Sequence, residues 1–228
     1  MKYLNEKLQI YLEDLRVKKP TPGGGAVAAL IAAQGAALTM MTAEFTIGNE
    51  KYKEFEERCI GARANSSYIY MNLCMAIDQD AEAYNMVVEA RKLPQNTEEE
   101  IMIRNQKLEE ANLAATMVPF KVMRLCREGL NAASFMIGYC NPNIQSDLSI
   151  AILSLAAGLR ASWMNVLVNL PSLKNETQRE MIQKEGEEIL RFANKIEKQA
   201  QEQNLFPDFA PESEEDKVQE ILRKAGLS

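Results

Sequence analysis

A run of small apolar residues, from Ala26 to Thr42, constrains the fold of this 228-residue chain more than any other segment. Alanine, glycine, leucine and methionine fill nearly every position, so a helix formed here is apolar on all sides. Such a helix has to be buried, either at the centre of a domain or at a contact between subunits. The residues from Ala151 to Leu170 form a second stretch of the same kind. Their small residues permit close packing. Two helices this apolar are hard to bury in one subunit, so together they predict a homodimer that is paired through residues 26–45 and 151–170.

The segment Pro20–Gly25, directly before this run, predicts a tight turn into the buried helix. Two prolines fix backbone angles here, and three consecutive glycines free them. The first N–H groups of such a helix have no partner within it and can bind an anion. A structural turn and a ligand-binding turn both remain open at this point. The match of Gly23–Ala28 to the dinucleotide fingerprint G-x-G-x-x-A is rejected, because the prolines before it cannot lie in the central strand that a Rossmann fold requires.

Apolar residues recur at helical spacing over most of the chain, and no segment alternates in the manner of a strand. No linker or change of composition divides the helical stretches. We therefore predict a single all-α domain over residues 1–228, a bundle of five to six long helices. The predicted helices span residues 2–17, 26–45, 52–92 with a bend near Gly61, 97–138 with a capping box at Thr97 and a kink at Pro119, 146–170 with a cap at Ser146–Asp147, and 175–203. Residues 205–228 are predicted to form a loosely docked tail with a short charged helix at 213–225.

The composition disfavours several classes of protein. The net charge of −6 argues against binding to nucleic acid or to an anionic membrane. Polar residues interrupt every apolar run before about 18 residues, and the N-terminus lacks a signal-peptide core, so we predict no membrane partner and a cytoplasmic location. Four cysteines without a C-x-x-C pair are expected to be free thiols.

The chain contains no histidine. This excludes Ser-His-Asp and Cys-His catalysis and nearly all zinc sites, so we predict no metal site and acid–base chemistry from other side chains. Asp80 lies in an acidic run within the third helix, where burial would raise its pKa toward neutrality. Asp147 lies at the start of the fifth helix, and by itself is typical of a cap or of an acid in the first helical turn.

Neighbouring polar residues leave alternatives open. Asp78 and Asp80 point about 200° apart on a helix, so at most one of them faces a given pocket. Glu82, in the same acidic run, is typical of a solvated surface. Asn165 and Asn169 lie four residues apart on an apolar helix, where their amides either bond to each other and to the backbone or line a polar pocket.

Several short segments occur in an order that resembles the cyclodeaminase/cyclohydrolase family, which comprises the C-terminal domain of formiminotransferase-cyclodeaminase and stand-alone bacterial methenyltetrahydrofolate cyclohydrolases. The resemblance covers most of the chain from Leu4 to Leu190. The chain differs from the family pattern after the second helix, where Asn49 and Glu50 stand in place of lysines. The similar segments are Pro20–Ala29, Asp78–Tyr84, Lys92–Pro94 with Thr97–Glu100, Val118–Pro119, Asn141–Asn143 with Ser146–Asp147, and Asn165–Val166 with Asn169–Leu170.

The resemblance implies an all-α homodimer that acts on a tetrahydrofolate derivative without a tightly bound cofactor. The implied reaction is that of formiminotetrahydrofolate cyclodeaminase, which releases ammonia and forms 5,10-methenyltetrahydrofolate. Methenyltetrahydrofolate cyclohydrolase activity in the same pocket is one alternative, and a helical dimer that binds a ligand without turnover is another. The candidate catalytic residues are Asp147 and Asp80. The candidate substrate-binding residues are Pro22, Gly23, Gly24, Gly25, Asn143, Ser146, Asn165 and Asn169.

Overall fold

The computed structural model describes residues 3–207, and within this range the chain folds into six α-helices without a β-strand. The all-α prediction is therefore confirmed. The helices are α1 (Leu8–Leu15), α2 (Gly24–Glu44), α3 (Glu56–Lys92), α4 (Glu98–Ser134), α5 (Gln145–Asn169) and α6 (Glu176–Glu202). Short 3-10 segments lie at Glu50–Phe55, Pro142–Ile144 and Leu170–Ser172.

The helices α2 and α5 run antiparallel and pack with closely spaced backbones. A Cβ atom at Gly158 of α5 would lie 2.8 Å from the Cβ of Ala32 and 2.9 Å from the carbonyl oxygen of Ala28, both in α2. A Cβ atom at Gly35 of α2 would lie 2.8 Å from the carbonyl oxygen of Ala151. This contact uses the small residues from which close packing was predicted, and it needs glycine at both positions.

The helices α3 and α4 complete the centre of the bundle. Each has 37 residues and is about 55 Å long, whereas α2 has 21 residues and spans about 30 Å. α3 is continuous through Gly61, and the break in helical geometry lies before it, at Tyr52. α4 begins with the predicted capping box, in which Thr97 and Glu100 exchange side-chain-to-backbone hydrogen bonds.

Several helix starts differ from the prediction, and α3 begins at Glu56 rather than at residue 52. α1 begins at Leu8 rather than near residue 2. α5 begins at Gln145, and no side chain caps it. The predicted cap at Ser146–Asp147 is therefore wrong, because both residues already lie inside the first turn of α5.

The segment after α6 packs against the bundle as far as it is described. Leu205 and Phe206 are buried, and the hydroxyl of Ser149 in α5 donates a hydrogen bond of 2.8 Å to the carbonyl oxygen of Leu205. The remainder of the predicted tail, including the charged helix at 213–225, lies outside the described residues.

Two helical segments, Gly24–Glu44 and Pro142–Ser172, are long and apolar enough to cross a membrane by length and composition alone. In each segment about half of an 18-residue apolar window is buried inside the bundle, 56% and 50% respectively. The core helices of a helical bundle have the same length and composition. The expected absence of a membrane partner stays a prediction.

Candidate active site

A cavity of about 300 Å³ opens at the end of the bundle where α2 begins and α5 ends. Six of the predicted site residues line it together: Gly23, Gly24, Gly25, Asp80, Asn165 and Asn169. Pro22 is buried close to them but does not line the cavity. The other lining residues are Pro20, Thr21, Tyr84, Val87, Val88, Arg91, Asn112, Ala115 and Ser172.

Asp80 is the one carboxylate among the residues that line this cavity. Its Oδ2 atom accepts a hydrogen bond of 3.0 Å from the backbone N–H of Ala26, in the first turn of α2. Burial raises the pKa of the Asp80 carboxyl above its ordinary value, and the hydrogen bond from Ala26 partly opposes the rise. This carboxyl therefore exchanges its proton closer to neutral pH than a solvated aspartate does.

The glycine-rich turn packs directly against this carboxylate. A Cβ atom at Gly25 would lie 1.9 Å from Oδ1 of Asp80, whereas one at Gly24 would lie 3.5 Å from Oδ1 of Asn165 and one at Gly23 3.8 Å from the nearest atom. Of these three positions, only position 25 lacks space for a Cβ atom and therefore requires glycine. The N–H groups of Gly24 and Gly25 donate to no atom within residues 3–207, so they remain available to a ligand.

The two asparagines of α5 bond to the backbone and also line the cavity. Pro119 has no N–H, which leaves the carbonyl of Ala115 in α4 without its helical partner. The side-chain amide of Asn169 donates to that carbonyl over 2.8 Å, and the amide of Asn165 donates to the carbonyl of Ala161 over 2.9 Å. Their Oδ1 atoms accept no hydrogen bond from the described residues. Both alternatives left open by the sequence therefore hold, except that the two amides do not bond to each other.

The N-terminal segment packs behind the acidic run, which the sequence did not predict. The backbone N–H of Tyr3 donates to Oδ1 of the buried Asp78 over 2.7 Å, and the Tyr3 hydroxyl lies 3.2 Å from Oγ1 of Thr21. The ring of Tyr11 meets that of Tyr3 edge-on at 5.9 Å. Burial raises the pKa of Tyr11, and the nearby charge of Asp80 adds to the effect. Asp78 thus binds the N-terminal segment through the Tyr3 N–H, while Asp80 faces the cavity.

One face of α3 forms a wall of the cavity. Asp80, Tyr84, Val87 and Arg91 lie on it at intervals of three or four residues. Asp80 could be predicted from the sequence as a site residue, whereas Arg91 was not predicted. The spacing of these four residues was the available signal, because eleven residues correspond to three helical turns and return to the same face.

Asn143, Ser146 and Asp147 lie at the opposite end of the bundle. Asp147 and Asn165 are 18 residues apart on α5, which places them about 27 Å apart along the helix axis. The backbone N–H of Asn143 donates to Oδ1 of the buried Asn141. Asn49 caps the 3-10 segment that follows α2 and is also at this end. One chain by itself therefore does not bring Asp147 and Asp80 together.

A larger cavity of about 570 Å³ lies between α3, α4 and α6. Its walls include Tyr68 and Arg127, and the Arg127 guanidinium lies 5.6 Å from the centre of the Phe192 ring. None of the predicted site residues lines it, so the smaller cavity is the candidate site. Within residues 3–207 the acidic and cysteine side chains form no group of three that could hold a metal ion, and the four cysteines are free and buried.

Comparison with known proteins identifies relatives along most of the chain. The family described as formiminotransferase-cyclodeaminase matches residues 7–188. A methenyltetrahydrofolate cyclohydrolase of Methylorubrum extorquens is 38% identical over 84% of this chain and 92% of its own length. The formimidoyltransferase-cyclodeaminase of Mus musculus is 30% identical over 78% of this chain, which spans only 33% of that longer protein.

A solved structure has the same fold. The crystal structure of formiminotetrahydrofolate cyclodeaminase from Thermotoga maritima superimposes with a TM-score of 0.80, at 25% sequence identity, over 89% of this chain and 97% of that chain. The chain belongs to the formiminotransferase-cyclodeaminase family, as the ordered segments of its sequence indicated.

Proposed function

We propose that the protein acts on the bridge between N5 and N10 of tetrahydrofolate, and that its reaction is that of formiminotetrahydrofolate cyclodeaminase. The observation that carries the proposal is the Asp80 carboxyl, which has a raised pKa and faces a cavity whose glycine amides and asparagine oxygens are unpaired among the described residues. Membership of the family and the name of the solved relative support it.

The chemistry needs a single group that can accept and then donate a proton. The substrate enters as an amidinium cation, N10 attacks the formimino carbon, and the N10 proton passes to the Asp80 carboxylate. Protonated Asp80 then delivers this proton to the departing nitrogen, and the carbon–nitrogen bond to ammonia breaks. The carboxylate that results stabilises the cationic methenyl product. The N–H groups of Gly24 and Gly25 are placed to donate to polar atoms of the pterin ring.

Methenyltetrahydrofolate cyclohydrolase is the second candidate. The relative that is 38% identical carries this name, and this chain matches it over 92% of its length. In that reaction water attacks the methenyl carbon, the bond from this carbon to N5 breaks as N5 takes up a proton, and 10-formyltetrahydrofolate forms with net release of one proton. Asp80 would accept the proton of the attacking water, so the same cavity serves both reactions.

Ultraviolet absorption of the methenyl group distinguishes these candidates. The pure protein is incubated with 5-formiminotetrahydrofolate and, separately, with 5,10-methenyltetrahydrofolate. Growth of the methenyl band with release of ammonia is expected for the first, and accelerated loss of the band for the second identifies a cyclohydrolase. If neither rate exceeds the uncatalysed one, the enzymatic proposal fails and a ligand-binding helical dimer becomes the better description.

We also propose that the protein is a homodimer formed through the outer face of the α2–α5 pair. This face carries apolar residues at helical spacing, with Asp147 at the start of its α5 stripe. The apolar residues are Val27, Ile31, Leu38 and Met41 on α2, Phe45 directly after α2, and Ile150, Ala157, Ala161, Met164 and Val168 on α5. Met164 is 66% exposed and Val168 is 78% exposed. An apolar surface that is continuous over two long helices is typical of a protein contact.

A symmetric dimer through this face offers a reason for the distant position of Asp147. If the two-fold axis crosses the helices at a right angle, the start of α5 in one subunit lies beside the end of α5 in the other. Asp147 of the partner subunit would then approach the cavity that contains Asp80. In this arrangement the residues of both ends of the bundle contribute to one site.

A further inference from the structure

The cavity has opposite charges at its two ends. Among the residues that line it, Asp80 is the one acid and Arg91 the one base. Both lie on the same face of α3, about 16 Å apart along the helix axis. Asp80 is half-buried, whereas Arg91 is exposed, so the cavity deepens from Arg91 toward Asp80.

Arg91 has no partner within residues 3–207. No hydrogen bond or ion pair to it occurs in this range, whereas the neighbouring Lys92 donates to the Glu89 carboxylate over 2.7 Å. Lys174 pairs with Glu109 and Arg179 donates to the carbonyl of Leu173, whereas Nε of Arg104 on α4 has no partner within residues 3–207. Arg91 is therefore an unpaired cation at the open end of the site.

The surface between the two charges is aromatic and aliphatic. Tyr84 lies one helical turn from Asp80, and Val87 and Val88 follow in the next turn before Arg91. A ligand that fits this order has a cationic or proton-donating head, a flat apolar middle and an anionic end.

We infer that Arg91 binds the glutamate end of the folate substrate and so determines which tail the protein accepts. The inference rests on the proposed function, in which the N5–N10 bridge lies at Asp80. The aminobenzoyl ring of folate then lies along Tyr84 and Val87, and the glutamate carboxylates reach the guanidinium of Arg91. Arginine suits this contact because its planar group donates two parallel hydrogen bonds to a carboxylate.

The position of Arg91 predicts a specific kinetic signature. The contact is remote from the reacting atoms and is made equally in ground state and transition state, so its loss raises KM and leaves kcat unchanged. Because Arg91 is exposed, the loss is about fivefold, in the range of exposed ion pairs. The KM of the native protein also rises with salt, since salt screens an exposed charge pair.

The test is a comparison of two proteins with two ligands. The native protein and Arg91→Gln are assayed with 5-formiminotetrahydrofolate and with 5-formiminotetrahydropteroate, which lacks the glutamate. Arg91→Gln is expected to raise KM about fivefold for the folate and not for the pteroate. Lys92→Gln, which removes the same charge one residue away, is the matched control and should change neither value.

Calorimetric binding of folic acid and pteroic acid to the same three proteins separates the two proposals, because it needs no turnover. A native protein that turns over neither formimino compound contradicts the proposed function, yet a loss of folic acid binding confined to Arg91→Gln still supports the role of Arg91. Equal effects of Arg91→Gln on folate and pteroate, equal effects of Arg91→Gln and Lys92→Gln, or no effect of Arg91→Gln on folate would each overturn the inference.

Discussion

The two ends of the α2–α5 pair carry similar polar residues but differ in how many of these polar groups are hydrogen-bonded. At the end with Asn141, all the groups of this side chain are used: its amide donates to the carbonyl of Phe45, and its oxygen accepts from the N–H of Asn143. Its backbone N–H donates to the Thr46 hydroxyl. At the end with Asp80, the N–H groups of the glycine turn and the Oδ1 atoms of Asn165 and Asn169 have no partner within residues 3–207.

This difference indicates that the end with Asn141 has a structural role and that the end with Asp80 is a ligand site. The unpaired groups at the end with Asp80 line an open cavity, where water reaches them in the free protein and a ligand can replace that water. The polar groups of Asn141 are complete in one chain, although Oγ1 of the buried Thr42 nearby has no partner within residues 3–207. We propose that a ligand completes the end with Asp80, and Asp147 belongs to that site only if a second subunit brings it there.

Among the substitutions that test this difference between the two ends, loss of the Asp80 carboxyl should have the largest effect on the reaction rate. Asp80→Asn is expected to lower kcat by about 10²- to 10⁴-fold, because the amide accepts the Ala26 N–H but cannot transfer a proton. The rate of change of methenyl absorbance measures the effect. Glu82→Gln, on the exposed side of the same helix, is the control. A fully active Asp80→Asn protein would show that the carboxyl is not an acid–base group.

Asp147→Asn tests whether the two ends of the bundle meet in a dimer, because it lowers the rate only if Asp147 reaches the site of the partner subunit. If Asp147 of the partner subunit completes the site, the rate should fall by about 10²-fold with normal folding. Mixing Asp80→Asn with Asp147→Asn subunits should then restore about a quarter of native activity, since half of the dimers are mixed and each has one intact site.

Light scattering and subunit exchange provide the controls for this experiment. An active species of 25.6 kDa would contradict the dimer. Full activity of Asp147→Asn would show that this residue has only a structural role. If the mixed subunits exchange but no activity is restored, each site must lie within one chain.

Substitutions in the glycine turn should have a smaller effect that differs from one position to the next. An alanine at position 25 would collide with Asp80, whereas one at position 23 meets only ordinary contacts. Gly25→Ala is therefore expected to lower activity about tenfold or more and to destabilise the fold by about 1–3 kcal/mol, while Gly23→Ala leaves both near native values. Urea unfolding measures the stability of both variants, and turnover measures their activity. Equal stability and equal activity of the two variants would contradict the contact between Gly25 and Asp80.

The smallest expected effect is a pH dependence of stability. The pKa of Asp80 is raised in the folded state, so the folded protein binds more protons than the unfolded chain between the ordinary aspartate pKa, about 4, and the raised value. Stability from this group is present at low pH and is lost as pH rises through that window. Asp80→Asn should thus be more stable than the native protein at pH 7, with a difference that shrinks toward pH 4. A difference that is the same at every pH would contradict the raised pKa.

Much of the fold could be predicted, because it follows from local patterns. The capping box at Thr97, the turn at Pro20–Gly25 and the two small-residue helices depend on neighbouring residues, and the structure has all of them. The requirement for glycine at position 25 could not be predicted in this way. It depends on a carboxylate 55 residues later in the chain, which only the packing of α2 against α3 places at that point.

The sequence by itself determined the all-α class and the family, and the absence of histidine narrowed the candidate acid–base side chains to those of Asp, Glu, Lys, Tyr and Cys. The tertiary structure decided which carboxylate faces a cavity, that Asn169 replaces the hydrogen bond lost at Pro119, and that Arg91 stands at the open end. The physical reason is the range of the interactions. Helix formation and capping depend on residues within one or two turns, whereas burial, pKa and unpaired groups depend on what other helices bring near.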